Sequence, residues 1–227
     1  AAIGIHTAPA LALAQLAPAA TADAVEAEVA RWLAQGKIPV MLGGEHGVSV
    51  GAIRAIRQRY PRVGVLQLDA HADSRTVYFD EPYSHACVMG WARQTVDRTA
   101  AVGIRSLGPE EAAGLQQPQH RVFLAHEHPD VTRLVEPVLA ALPDEIYLTI
   151  DVDYFAPHVM PATGTPEPGG YEWYPTIDFL RAVCARKRVV GFDVVELAPL
   201  PGLHYPDFTT AKLIYRLIGW LGRNRAA

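Results

Sequence analysis

Three short apolar runs in this chain each stop at a cluster of metal-capable side chains, and this repetition dictates where the runs must lie. Leu68-Asp69-Ala70-His71-Ala72-Asp73 closes one run with Asp69, His71 and Asp73 at alternate positions. In extended backbone the residues at i, i+2 and i+4 point to one side, so these three side chains converge. Ile146-Tyr147-Leu148 leads into Thr149-Ile150-Asp151-Val152-Asp153, which sets two more carboxylates at alternate positions on another strand's exit. Ile38-Pro39-Val40-Met41-Leu42 is followed by Gly43-Gly44-Glu45-His46-Gly47, which offers an imidazole.

The segments between these runs read as helices. Helices are expected over residues 21–35, capped by Thr21 and stopped by Gly36, and over 49–59, ending before Pro61. Further helices are expected at 110–116, 131–142, 174–185 with Pro175 at its start, and 208–221 capped by Asp207. Strands fall at 38–42, 63–68, 100–104, 121–124, 146–150 and 189–195, short apolar runs without the polar alternation of a half-exposed sheet. This alternation implies an α/β fold with a mostly parallel sheet covered on both faces, and in such sheets ligands gather at the strands' carboxyl ends. His46, Asp69 to Asp73, Asp151, Asp153 and Glu196 all fall there. The Pro- and Gly-rich stretch 157–170 reads as an ordered loop beside them.

Composition narrows the partners. The chain has 227 residues, half of them apolar, enough for one large domain over 1–227. A net charge of −4 gives no general attraction to nucleic acid or to an anionic membrane, so neither partner is expected. No apolar run approaches the roughly 20 residues of a membrane helix. Cys87 and Cys184 are too few for a disulfide framework, which fits a soluble protein in a reduced cytoplasmic setting. Cys87 reads as small core filler.

Taken singly, each Asp or His would be a cap, a turn former or a satisfied polar core residue. Together, Asp69, Asp73, Asp151, Asp153, His46 and His71 exceed what one metal needs and suit two divalent ions sharing bridging carboxylates. Carboxylates favour Mn²⁺ or Mg²⁺, and imidazoles move the choice toward Mn²⁺, Zn²⁺ or iron. Two ions about 3.5 to 4 Å apart lower the pKa of a bridging water from about 15.7 toward about 7, which supplies hydroxide for hydrolysis at neutral pH.

The motifs are also specific. GGEHG at 43–47, DAHAD at 69–73, SHACVM at 84–89, TIDVDYFAP followed by PATGTPEPGG within 149–170, and VVEL at 194–197 resemble, in this order, the ureohydrolases, the arginase and agmatinase family. The resemblance implies a three-layer α/β/α arginase-like fold and two Mn²⁺ ions. His46, Asp69, Asp73 and Asp151 would hold one ion and His71, Asp69, Asp151 and Asp153 the other, with Asp69 and Asp151 bridging. His85 would shuttle protons and Glu196 would bind the guanidinium. Those roles make chemical sense: a guanidinium is a poor electrophile, so its hydrolysis needs a strong nucleophile, a carboxylate to orient the planar fork and a proton for the leaving amine. Relatives form trimers and hexamers, so a homo-oligomer is expected.

Gly47 stands where the family often has serine, and Ala156 where aspartate commonly precedes the proline at Pro157. Neither change removes a ligand. The chain is also short for the family, on its N-terminal side. The substrate is expected to be a small cationic guanidino compound, agmatine or an aminopropylagmatine-like amine. Arginase-like relatives grip the amino-acid end with an asparagine and a serine at places that here hold Arg75 and Glu81. Asp80 and Glu81 instead bring negative charge, which suits an amine tail, and Arg75 and His158 are further candidates for substrate contact. The rivals are an arginase or another guanidino- or formimino-acid hydrolase, and a non-catalytic ureohydrolase-like binding or regulatory subunit. Deacetylases of related fold use a single Zn²⁺, so metal stoichiometry separates them.

Overall fold

The computed structural model describes residues 4–224. In chain order the elements are α1 (Pro18–Ala34), β1 (Val40–Leu42), α2 (Ser49–Arg59), β2 (Gly64–Leu68), α3 (Val88–Thr95), β3 (Thr99–Ile104), α4 (Pro109–Ala112), β4 (Gln116–Gln117), β5 (His120–Leu124), α5 (Val135–Ala141), β6 (Glu145–Asp151), α6 (Trp173–Arg186), β7 (Arg188–Val195) and α7 (Tyr205–Asn224). The strands form one sheet in the order β1-β7-β6-β2-β3-β5-β4, parallel throughout except for the short antiparallel pair β4 and β5.

Alternation along the strands builds the layers. Leu66 and Leu68 of β2, Leu148 and Ile150 of β6, and Phe192 and Val194 of β7 pack with Val138, Phe179, Leu180, Val183, Leu213 and Leu217 from α5, α6 and α7. Their neighbours Val65, Tyr147 and Val195 turn to the opposite face, with the cluster of Val25, Val29, Ile53, Ile56, Val88 and Met89 from α1, α2 and α3. The result is the expected three-layer α/β/α arrangement with a mostly parallel sheet. Between β2 and β6 the chain reverses its direction of travel across the sheet, since β3 and β5 follow on one side and β6 and β7 on the other. That reversal opens a crevice beyond the strands' carboxyl ends.

Several boundaries differ from expectation. α1 starts at Pro18, whose fixed φ suits a first helical position, so Thr21 lies inside the helix and does not cap it. α7 begins at Tyr205, which puts Asp207 within its first turn. β1 is shorter than its apolar run because pairing with β7 begins at Val40. The expected helix at 110–116 stops at Ala112, and Gln116 and Gln117 pair back on β5. The expected helix at 131–142 opens as a 3₁₀ turn over Val131–Leu134, with Asp130 accepting from the Thr132 amide at 3.0 Å. α3 follows the His85 segment directly, where no helix is expected from the sequence reading.

Candidate metal centre

Four adjacent strands, β1, β7, β6 and β2, deliver the candidate residues to one edge. His46 enters from a 3₁₀ turn after β1, capped by Glu45, which accepts from the Gly47 amide at 2.9 Å. Its ring is fully buried. Nε2 lies 2.8 Å from Thr149 Oγ1, and the Thr149 hydroxyl donates to Asp193 Oδ1 at 2.6 Å. Tyr147 donates to the other oxygen, Asp193 Oδ2, at 2.6 Å. With the threonine proton directed at Asp193, its oxygen accepts from His46 Nε2, so the neutral ring carries its lone pair on Nδ1. Nδ1 faces Asp73 Oδ2 at 3.0 Å, Asp69 Oδ2 at 3.2 Å and Asp151 Oδ2 at 3.6 Å.

His71 repeats the arrangement on the β2 side. Its Nδ1 faces Asp153 Oδ2 at 2.9 Å and Asp69 Oδ1 at 3.7 Å. The two oxygens of Asp69 therefore address different imidazoles, so Asp69 would be shared by two cations if both were bound. Main-chain and amide donors hold these acids in place. The His71 amide donates to Asp69 Oδ1 at 2.6 Å, Gln67 to Asp69 Oδ2 at 2.7 Å, the Ala70 amide to Asp153 Oδ1 at 3.0 Å and the Asp153 amide to Asp151 Oδ1 at 2.9 Å. His46, Asp69 and Asp73 form one group with ligand atoms within 4.8 Å of one another, and Asp69, His71 and Asp153 form another. Among the described residues, buried His46 Nδ1 and Asp153 Oδ2 have no hydrogen-bond partner of good geometry, which fits donor atoms meant for a cation.

The electrostatics agree. Burial raises the carboxyls of Asp73, Asp151 and Asp153, and the Asp69 charge raises them further; Asp73 is pushed up to about 7. Burial works against the charge on His71, but Asp153 and Asp69 outweigh it and push the imidazole up to about 11. His46 is likewise raised, against its burial, by Asp69 and Asp73. Asp69 is held down, despite burial, by both imidazoles. A cluster that draws in protons this strongly has an excess of negative charge that divalent cations would neutralise.

Glu196 follows β7 with a left-handed φ of 63°. Its amide donates to Gly44 O at 2.8 Å, and its Oε1 accepts from the His46 amide at 2.7 Å. Burial raises its carboxyl, opposed by His46 and His85. His85, on the segment leading into α3, is half exposed, with Nδ1 4.0 Å from Glu45 Oε2 and its ring edge-on to Tyr78.

The remaining candidates make contacts of their own. Arg75 Nε sits 3.3 Å from Glu110 and 3.4 Å from Glu111, with its guanidinium over the Tyr78 ring. Asp80 is exposed in the tight turn between Tyr78 and Glu81, and Glu81 accepts from the Tyr83 amide at 2.8 Å. His158 pairs with Glu172 at 2.8 Å on the exposed surface. Ala156, where the family commonly has an acid, is buried. Cys87 is buried as core filler, and burial pushes its thiol up to about 11. The sequence reading missed Gln67, Thr149 and Asp193 as supporting residues. The available signal was polarity inside fully buried strands, above all Asp193 within the apolar run of β7.

Comparison with known proteins identifies the family. The model of the arginase family matches residues 2–219. The chain is 37% identical over 229 residues to an N(1)-aminopropylagmatine ureohydrolase of Synechocystis sp., an alignment covering 98% of this chain and 75% of that protein. A protein of the same name from Thermococcus kodakarensis is 32% identical over 82% of this chain, which spans 62% of that relative's length. Among solved structures, the agmatine ureohydrolase of Thermoplasma volcanium superposes with a TM-score of 0.81 at 30% identity, covering 92% of this chain and 71% of that one.

Proposed function

The chain belongs to the arginase family, and from that premise we propose that it hydrolyses the guanidino group of agmatine or an aminopropylagmatine-like amine, releasing urea and a polyamine. The observation that carries the reading is the pair of imidazoles, His46 and His71, turned toward the two oxygens of one carboxylate, Asp69. His46, Asp69, His71, Asp73, Asp151 and Asp153 are the residues that would hold two divalent cations, with Mn²⁺ the family-typical choice. When bound, the cations lower the pKa of water in the site so that a nucleophile is available at neutral pH.

The chain's own groups then do the rest. Glu196 has one oxygen committed to the His46 amide, so the other is free to receive the guanidinium fork and orient its carbon toward the cluster. His85, half exposed at the mouth, delivers a proton to the departing amine and recovers it from solvent. Discrimination among guanidino compounds must come from the far end of the substrate, because all present the same fork. Arg75, the cation that could meet an arginine carboxylate, is engaged by Glu110, Glu111 and Tyr78. An amine tail meets no such conflict. We read the enzyme as a cytoplasmic homo-oligomer, a trimer or hexamer, formed from a single ureohydrolase domain.

The test is urea release with Mn²⁺ over agmatine, aminopropylagmatine, arginine and guanidinobutyrate. The amines should exceed arginine by more than about tenfold in kcat/KM, which is about 1.4 kcal/mol of differential transition-state binding. Equal or better kcat/KM for arginine would move the chain to the arginase reading, and no urea from any of them would favour a non-catalytic subunit.

A further inference from the structure

Arg105, just beyond β3, spends its guanidinium entirely on peptide carbonyls. Nε donates to Pro168 O at 2.9 Å; Nη1 donates to Gly103 O at 3.1 Å and Tyr154 O at 3.4 Å. Nη2 donates to Asp153 O at 2.7 Å, Glu167 O at 3.2 Å and Phe155 O at 3.3 Å. One planar fork thus joins three segments: the exit of β3, the turn after β6, and the loop at Glu167 and Pro168. Lysine, a point donor on a flexible stem, could not make this set.

Two of the residues so tied face the same imidazole from opposite sides. Asp153 Oδ2 is 2.9 Å from His71 Nδ1, and Glu167 Oε1 is 3.6 Å from His71 Nε2, an ion-pair distance longer than a hydrogen bond. Glu167 sits between Pro166 and Pro168, whose fixed φ values leave few ways to move its carboxylate once its carbonyl is pinned. His46 has a different support, the buried hydroxyl of Thr149.

We infer that Arg105 and Glu167 are positioning residues for His71: Arg105 locks the main chain of Asp153 and Glu167 together, and the charge of the Glu167 carboxylate favours the ring proton on Nε2, leaving the Nδ1 lone pair for a divalent cation. A carboxylate beside the outer nitrogen of a ligating histidine fixes its tautomer and raises its basicity, and loss of such a partner typically weakens metal binding by about 10- to 100-fold. The inference rests on the two-cation reading of the site and is independent of the substrate.

The experiment is calorimetric titration of the metal-stripped full chain with Mn²⁺ alone, for the native protein, Glu167→Gln, Arg105→Ala and the double variant. Glu167→Gln should weaken one of two binding events by about tenfold or more and leave the other within about twofold. Arg105→Ala should weaken the same event at least as much. The double variant should bind no more weakly than Arg105→Ala alone, because Glu167 acts only where Arg105 holds it. Should Arg105→Ala not fold, Arg105→Lys takes its place in the cycle. Native affinity at both sites in Glu167→Gln, or losses that multiply in the double variant, would overturn the inference while leaving the cation reading intact. A native protein that takes up fewer than two ions would overturn both.

Discussion

Two residues divide the candidate chemistry from its support. Thr149 stands between His46 Nε2 and Asp193 Oδ1, and all three side chains are buried. Thr149→Val keeps the shape but leaves the imidazole N–H without its partner and takes one donor from Asp193, a cost of about 1–3 kcal/mol in denaturant unfolding. It should also lower Mn²⁺ affinity roughly tenfold, whereas Thr149→Ser retains both bonds and stays near native. Equal stability and affinity in the valine variant would show that the hydroxyl does not orient His46. His85 makes the opposite case, since it is half exposed and belongs to neither buried ligand group. His85→Ala should reduce kcat by about 10²- to 10⁴-fold while bound manganese, measured by elemental analysis, is unchanged. A full rate would reduce this histidine to a loop anchor.

The strand exits, rather than the strands, carry the strain. Asp73 and Glu196, which end the β2 and β7 segments, both have left-handed φ values, 47° and 63°, where non-glycine residues cost of order 1–3 kcal/mol. That cost is offset by what the turns deliver: the Asp73 carbonyl accepts from the Met89 amide at 2.7 Å, and Glu196 ties the exit of β7 to that of β1 through Gly44 and His46. The turn after β1 has its own fit. Glu45 folds back on the Gly47 amide, and a Cβ at Gly47 would lie 2.5 Å from Tyr83 O and 2.7 Å from Glu45 Oε1. Gly47→Ser, although serine is common there in the family, should therefore cost about 1–3 kcal/mol. Adding Glu45→Asp, whose shorter side chain vacates the space, should recover part of the loss in the same unfolding measurement. A neutral single variant would show that the turn yields freely.

For the molecule as a whole, the concentrated charge couples folding to pH and metal. Asp73, raised to about 7 by burial and by Asp69, binds its proton more tightly folded than unfolded, and so does His71, raised to about 11 by Asp153 and Asp69 against its burial. The stability such groups contribute is complete below their unfolded values and is lost as pH rises through the folded ones. Asp69 acts in the opposite sense, but its window lies below the ordinary carboxylate range. The metal-free protein should thus melt at a higher temperature near about pH 5 than near about pH 8 through these groups. Mn²⁺ competes with the same protons, so the increase in Tm on adding it should be larger near about pH 8. A larger increase at the acid end would mean that the cluster is not the site of binding.

The α/β class, the placing of acids and imidazoles at the ends of parallel strands, and which of them gather were all legible along the chain. These are consequences of local geometry: a period of two puts Asp69, His71 and Asp73 on one side whatever the strand's neighbours are. Helix starts were less legible, because Pro18 and Tyr205 begin their helices ahead of the more familiar caps Thr21 and Asp207. The pairings were set by packing between remote segments. That Asp69 divides its oxygens between two imidazoles, that Thr149 and Asp193 stand behind His46, that Arg75 turns to Glu110 and Glu111, and that Arg105 grips both Asp153 and Glu167 all depend on strand order and loop placement. His46 and Thr149 lie 103 positions apart and meet because β1 and β6 flank β7. A buried polar group takes whichever partner the packing of remote segments brings within reach, and that choice is not written in its neighbours along the chain.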